Sequence, residues 1–317
     1  MVEEKKPSNK SYFTRWNLAY RFKQVPETVI HNTHSSSSLS RNSTTRLQDG
    51  ADLLVSDKER PSRVGMRGLP AHSSGSIKVL SWNIAKNNYN PSWKKDFLAI
   101  VEQYQPDKIF LQEVRLDITS EEIPELAQMG WSFTPNLIDT SNNTYSGILI
   151  ATNYGDRIFS KSVITKHYEP AINTPKVSLF SEYSLGDCSQ NLLTVNTHLI
   201  NFVGLSKFKA QLQGIESILN EYQGAIILAG DFNTWNKSRW LLLSQMAARL
   251  NLTSISFTAK DTKKIKSFLF SLPLDYIFYR GFAQKPDTST VIENVSSSDH
   301  NPLFVELCLQ DSKDVGE

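Results

Sequence analysis

Residues 225–235 read AIILAGDFNTW: five apolar residues, a glycine, then Asp231 and Asn233 two apart. The apolar run is too short for a helix of ordinary length and has no helical spacing, so it reads as a buried β-strand running into a tight turn. Gly230 permits close backbone approach, and an acid and an amide two residues apart can point at the same small object. The same grammar recurs along the chain. IKVLSWNI (77–84) carries Asn83 at its end, KIFLQEV (108–114) carries Glu113, and LLTVNTHL (192–199) carries His198. Asp275 opens DYIFY, and Asp299 with His300 precedes LFVELCL (303–309).

Between these junctions lie further strand-like segments, GILIAT (147–152), RIFSKSVITKH (157–167), KVSLFSEYSL (176–185) and STVIENV (289–295), several with alternating polarity. Trp93, Phe97, Ile100, Val101 and Tyr104 recur at helical spacing before Pro106. Leu212, Ile215, Leu219 and Tyr222 mark a second helix with Ser206 as its expected N-cap, and WLLLSQMAARL (240–250) a third. Strands outnumber helices, do not strictly alternate with them, and show no fixed repeat. The expected fold is α/β: two packed, mainly antiparallel sheets flanked by helices.

Composition sets the limits. The chain has 317 residues, 39% hydrophobic and 21% charged, ordinary for a globular protein. No apolar run approaches the roughly 18 residues of a membrane helix, and the N-terminus lacks the apolar stretch of a secretory signal. With only Cys188 and Cys308, a disulfide framework and a zinc-finger pattern are both excluded, and a reducing, cytoplasmic location is expected. Residues 1–76 hold 12 Lys/Arg against 7 Asp/Glu, and the remainder 22 against 25. The N-terminal 76 residues include HNTHSSSSLSRNSTTRLQDG and read as a basic, Ser-rich, largely disordered region. Residues 77–309 form the expected folded domain and 310–317 a short tail.

If the strands align, their polar ends meet at one rim, and burying so many ionisable groups without pairing or a metal would be costly. Glu113 and Asp299 are hard oxygen donors and Asn83 a neutral one, the ligands that Mg²⁺ or Mn²⁺ prefers. Asp231 with Asn233 could point one carboxylate and one amide at the same small object, and Asp275 could orient His300 through one ring nitrogen.

Taken in order, SWNI, LQEV, VNTHL, AGDFNTW, LDYIFYRG and SSDHNPLFVEL resemble the endonuclease/exonuclease/phosphatase superfamily of deoxyribonuclease-like enzymes, and within it the bacterial YafD-like proteins. The resemblance spans residues 77–309 and implies a four-layered α/β sandwich. It implies a divalent-metal-dependent phosphoesterase in which Asn83, Glu113 and Asp299 hold the metal, Asp231 and Asn233 position or activate the attacking water, and Asp275 orients His300. His198 would contact the scissile phosphate or protonate the leaving oxygen, and Lys176 is the nearest candidate for binding phosphate. Either Asp231 or His300 would be the base. The glutamate that partners the histidine in deoxyribonuclease-like members has no counterpart in TYSGILIAT, which leaves His198 neutral.

A phosphodiester, nucleic acid ahead of lipid, is the expected substrate, with Lys260, Lys263, Lys264 and Lys266 as a possible backbone-contacting loop. The alternative is sphingomyelinase-like or small-molecule phosphoesterase action. The segment before Asp275, SLPLDYIFY, lacks the motif of inositol phosphatases. A third reading, a non-catalytic binding module, would have been marked by loss of Glu113, His198, Asp231 or His300.

Overall fold

Two βαβ units organise the molecule. A computed structural model describes residues 62–63, 75–154, 157–170, 173–185, 191–268 and 271–310. Strands β2 (Ser76–Asn83) and β3 (Lys108–Asp117) run parallel, joined by helix α1 (Pro91–Tyr104). Strands β8 (Asn191–His198) and β9 (Ala225–Asp231) are likewise parallel, joined by helix α2 (Leu205–Leu219). A parallel pair needs a crossover of this kind, since a tight turn cannot connect its ends. The remaining ladders are antiparallel, so the sheets are mixed, with antiparallel pairing predominant.

The first sheet is ordered β1–β4–β5–β3–β2–β14–β12, with β13 also pairing β14. Here β1 is Ser62–Arg63, β4 Gly130–Asp139, β5 Thr144–Thr152, β12 Phe282–Gln284, β13 Thr290–Val291 and β14 Leu303–Leu309. The second is β10–β11–β9–β8–β7–β6, in which β6 is Arg157–Tyr168, β7 Pro175–Ser184, β10 Thr253–Ser254 and β11 Asp275–Arg280.

Alternation assigns the faces. Ile77, Val79, Phe110, Ile148 and Val305 of the first sheet share one core with Val177, Leu179, Ile227 and Ile277 of the second. The opposite face of the first sheet, with Leu80, Trp82, Leu111 and Leu149, packs on Trp93, Phe97 and Ile100 of α1. In the second sheet the alternate residues Val195, Ile226, Leu228 and Phe278 are also buried, as are Phe208, Leu212 and Ile215 of α2. Leu243 and Met246 of α3 (Lys237–Arg249) are buried too. The order helix, sheet, sheet, helices is the four-layered α/β sandwich.

Local signals explain most boundaries. Asn90 caps α1 by accepting from Ser92 N, Pro91 opens it, and Gln105, at φ 47°, closes it before Pro106. Three expectations need correction. Helix α2 starts at Leu205 behind Gly204, so Ser206 lies inside its first turn rather than at the cap, and the helix stops at Leu219, short of Tyr222. STVIENV contributes only Thr290–Val291 as strand. Strand β4 was not anticipated, because Pro135 interrupts its pattern; the proline sits where the β4–β5 register shifts. Of the expected disordered region and tail, all but Ser62–Arg63, Gly75, Ser76 and Gln310 lie outside the described residues.

Candidate active site

The C-terminal ends of both parallel pairs arrive at the same place. Asn83 ends β2, and Glu113 stands at a bulge in β3 where the ladder to β5 slips between Leu111 and Val114. From the second sheet come His198 at the end of β8, Asp231 at the end of β9 and Asp275 at the start of β11. His198 is level with Asp231 in one ladder, and Asp231 with Asp275 in the next. This levelness depends on Gly230, at φ +145°, because a Cβ there would lie 1.9 Å from the Thr197 carbonyl oxygen.

Two hydrogen bonds reach across to the second sheet at this rim. Asn83 Nδ2 donates to Asp231 Oδ2 at 3.0 Å, and His300 Nδ1 lies 2.8 Å from Asp275 Oδ2. His300 Nε2 is 4.0 Å and His198 Nε2 3.6 Å from the same Asp231 oxygen. His300 is fixed from behind. Its backbone N donates to Ser298 Oγ, Ser298 Oγ donates to the Asn83 carbonyl, and Trp82 Nε1 donates to the His300 carbonyl. Asn233, at φ 49°, donates its backbone N to Asp231 Oδ1 and its Nδ2 to the Leu199 carbonyl.

Burial dominates the electrostatics. Asp231 is 3% exposed, and desolvation followed by the charge of Asp275 pushes its carboxyl up to about 7, against the opposing pull of His300. Burial alone would lower the His300 imidazole, yet the charge and hydrogen bond of Asp275, with Asp231 and Asp299, raise it to about 9. The His198 imidazole is held well below its ordinary value by burial, then by the charges of Lys176, His300 and Lys86. At neutral pH the centre therefore holds an imidazolium at His300 and a neutral imidazole at His198.

The remaining candidates lie around this cluster. Glu113, at φ 55° and partly exposed, lines a cleft with His198, Lys176 and Lys86. Lys176 is buried, its Nζ 3.3 Å from Glu169 Oε2. Asp299 is apart from the buried group: its carboxylate is 63% exposed and accepts from Lys266 Nζ at 2.7 Å. Lys264 pairs with Asp261 and Glu293, so two of the four loop lysines are committed to carboxylates. Among the described residues, one group of acids and histidines is compact enough to hold a metal ion, Asp231, Asp275 and His300, with ligand atoms within 4.8 Å of one another. It differs from the set Asn83, Glu113 and Asp299 that the sequence suggested. The Asn83 amide oxygen accepts from Ala85 N at 3.1 Å.

Sequence reading missed Arg239. This fully buried guanidinium donates to the carbonyls of Ile200, Asn233 and Val203, tying together the loops that leave β8 and β9. It also stacks on Phe208 and Trp235. A lone arginine in the first turn of α3 gives no sequence signal of this role. Lys86 was missed for the same reason, although its place three residues after Asn83 is a hint.

Comparison with known proteins agrees with this fold. The model of the Endonuclease/Exonuclease/phosphatase family matches residues 80–300. A UPF0294 protein of Vibrio parahaemolyticus is 32% identical over 250 residues, covering 75% of this chain and 80% of its own. One from Klebsiella pneumoniae is 29% identical over 246 residues, covering 76% and 85%. Among solved structures, the human Nocturnin catalytic domain with bound sulfate superposes with a TM-score of 0.57 at 20% identity, covering 74% of this chain and 95% of that one. The 2′,3′-cyclic phosphatase ANGEL2, in complex with adenosine-2′,3′-vanadate, gives 0.55 at 14% identity, covering 74% and 96%. By its sandwich of mixed sheets, the acid–histidine cluster at their joined ends and these similarities, the chain belongs to the endonuclease/exonuclease/phosphatase family.

Proposed function

We propose that the protein is a divalent-metal-dependent phosphodiesterase that hydrolyses a P–O bond by attack of water, with nucleic acid as its substrate class. The observation that carries this reading is the meeting of Asn83 at the end of β2 and His300 in the loop before β14 with His198 and the buried carboxylates Asp231 and Asp275 of the second sheet. Such a cluster is expensive to bury unless it serves a reaction or a charged ligand. Membership of a family whose relatives by structure include a cyclic phosphatase supports phosphoester chemistry.

Asp231, with its carboxyl near 7, is placed to accept the proton of an attacking water at and above neutral pH. Asn233 holds that carboxylate through its backbone N–H. His198, neutral, offers a ring N–H to a phosphoryl oxygen, and the His300 imidazolium, held by Asp275, offsets negative charge on the phosphoryl oxygens. Lys176 contributes a buried positive charge beside the phosphate. The donor chemistry fits a hard cation such as Mg²⁺ or Mn²⁺: Glu113 and Asp299 offer carboxylates and Asn83 an amide oxygen, and Asp299 would have to leave Lys266 to join them. Such an ion supplies charge neutralisation on the phosphoryl oxygens and the leaving group.

The test is incubation of the protein and its His300→Ala variant with Mg²⁺ and then EDTA, against plasmid DNA, abasic duplex, RNA, sphingomyelin and bis-p-nitrophenyl phosphate. Cleavage of nucleic acid that needs both metal and His300 is expected. Cleavage of sphingomyelin alone would move the substrate class to lipid, and inertness toward every substrate would refute the phosphodiesterase reading.

A further inference from the structure

Alternation along β3 puts Glu113 on a side where a regular strand would not. Phe110 faces the core between the sheets, and Leu111 the opposite core against α1. Gln112 returns to the inter-sheet side, where its Nε2 donates to Asn196 Oδ1 of β8 at 2.7 Å. An unbroken strand would send the next residue back to the Leu111 side. That place is taken by Val114. Glu113 is the extra residue of the bulge: Leu111 pairs with Leu149 and Val114 with Gly147, so Gln112 and Glu113 stand against Ile148 alone. The slip, with Glu113 at φ 55°, lets this residue line a cleft with His198 and Lys176 of the second sheet.

A glutamate with left-handed backbone inside a strand is strained, and persists only where its surroundings over-determine it. Part of that support comes from the segment after β2, where Ile84 N donates to the Gln112 carbonyl at 3.0 Å and Lys86 N to the Glu113 carbonyl at 2.8 Å. The rest comes from the other sheet. Asn196 Nδ2 donates to the carbonyls of both Leu111 and Leu149, each at 2.8 Å, and these two residues are the pair at which the ladder breaks off. Asn196 and Gln112 are fully buried. An asparagine in the middle of a buried strand is costly unless its amide is paired, and all three hydrogen bonds of the Asn196 side chain cross to the first sheet.

We propose that Asn196 is a positioning residue: from the second sheet it holds the bulge of β3 in place and thereby turns Glu113 toward His198. The proposal rests on the reading of Glu113 as a metal ligand and adds the residue that aims it.

The experiment uses Asn196→Leu, close in volume and without an N–H to give, and Asn196→Asp, which keeps an acceptor for Gln112 and serves should thermal unfolding show that the first is not folded. Mn²⁺ binding is followed by calorimetry, well below every thermal midpoint, for the parent, each Asn196 variant, Glu113→Gln and the double variants. The Cα and Cβ chemical shifts of Glu113 in the metal-free proteins report its backbone conformation. Removing a residue that orients a metal ligand weakens metal binding by roughly ten- to hundredfold. The Asn196 variants are expected to show that loss and to move the Glu113 shifts from left-handed toward extended values. Combined with Glu113→Gln they should add nothing further, because both act through one carboxylate. Unmoved shifts, Mn²⁺ affinity equal to the parent's while Glu113→Gln loses it, or effects that multiply in the double variant would each overturn the positioning role. If Glu113→Gln alone binds Mn²⁺ as the parent does, the metal reading of Glu113 fails; the shifts then decide, moved shifts supporting the role of Asn196 and unmoved shifts ending it.

Discussion

Lys108 opens β3, five residues before Glu113 and therefore about 16 Å away along the strand. It is 2% exposed, and its ammonium donates to Thr152 Oγ1 at 2.6 Å and the Tyr154 carbonyl at 3.1 Å, over the ring of Tyr183 at 3.5 Å. Burial lowers its pKa from 10.5 to about 7, with the charge of Asp107 only partly opposing. The sign follows directly. Between about 7 and 10.5 the unfolded chain binds a proton that the folded chain does not, so this group makes stability rise with pH through that window. At a limiting slope of about 1.4 kcal/mol per pH unit, reduced near pH 7 where the folded-state group is half protonated, the increment between pH 6.5 and 8.5 is about 2 kcal/mol. Lys108→Met keeps the length and the apolar stem but has no proton to lose. Urea unfolding followed by tryptophan fluorescence at pH 6.5, 7.5 and 8.5 should find the variant favoured most at 6.5. The gap should close by about 2 kcal/mol by pH 8.5, while titration of Asp231 and His300 cancels in the difference. Parallel stability curves, within about 0.5 kcal/mol, would refute the argument that a desolvated ammonium is being folded there.

Three further predictions concern the site. Asp275→Asn removes the charge that raises both neighbours, so both limbs of the pH–kcat profile, near 7 for Asp231 and near 9 for His300, should move to lower pH by about 1–3 units; limbs that stay in place would disconnect Asp275 from them. Gly230→Ala must separate β8 from β9, costing about 3 kcal/mol from strain and overpacking and lowering the thermal midpoint by about 6–12 °C. An unchanged midpoint would contradict the close approach at Thr197. Lys266→Gln frees the exposed carboxylate of Asp299, so the Mg²⁺ concentration for half-maximal activity should fall by roughly two- to fivefold; a rise would take Asp299 out of the metal set.

How far the sequence carried depended on the kind of signal. Strand-end polar residues were legible because an apolar run that stops at Asn, His or Asp exposes its own exception, and His198, Asp231, Asp275 and His300 do converge. The partner of Asn83 was not legible, because its contact with Asp231 spans 148 residues and two sheets. Asp299 and His300 are adjacent in sequence yet face different surroundings, one exposed against Lys266 and the other buried against Asp275. Periodicity cannot separate two neighbours in a loop. Arg239 and Lys86 act through backbone carbonyls and a cleft, which leave no mark in residue spacing. Pro135 hid β4 because a proline argues against a central strand unless a bulge accommodates it.

Because Asn83 ends a strand of one sheet, His300 lies in the loop before β14, and His198, Asp231 and Asp275 belong to the other sheet, neither sheet alone holds the whole proposed centre. Packing of one sheet on the other is therefore what assembles the proposed site. Recovery of activity after dilution from denaturant should consequently trail the recovery of secondary structure, and a refolding intermediate with either sheet formed alone should be inert.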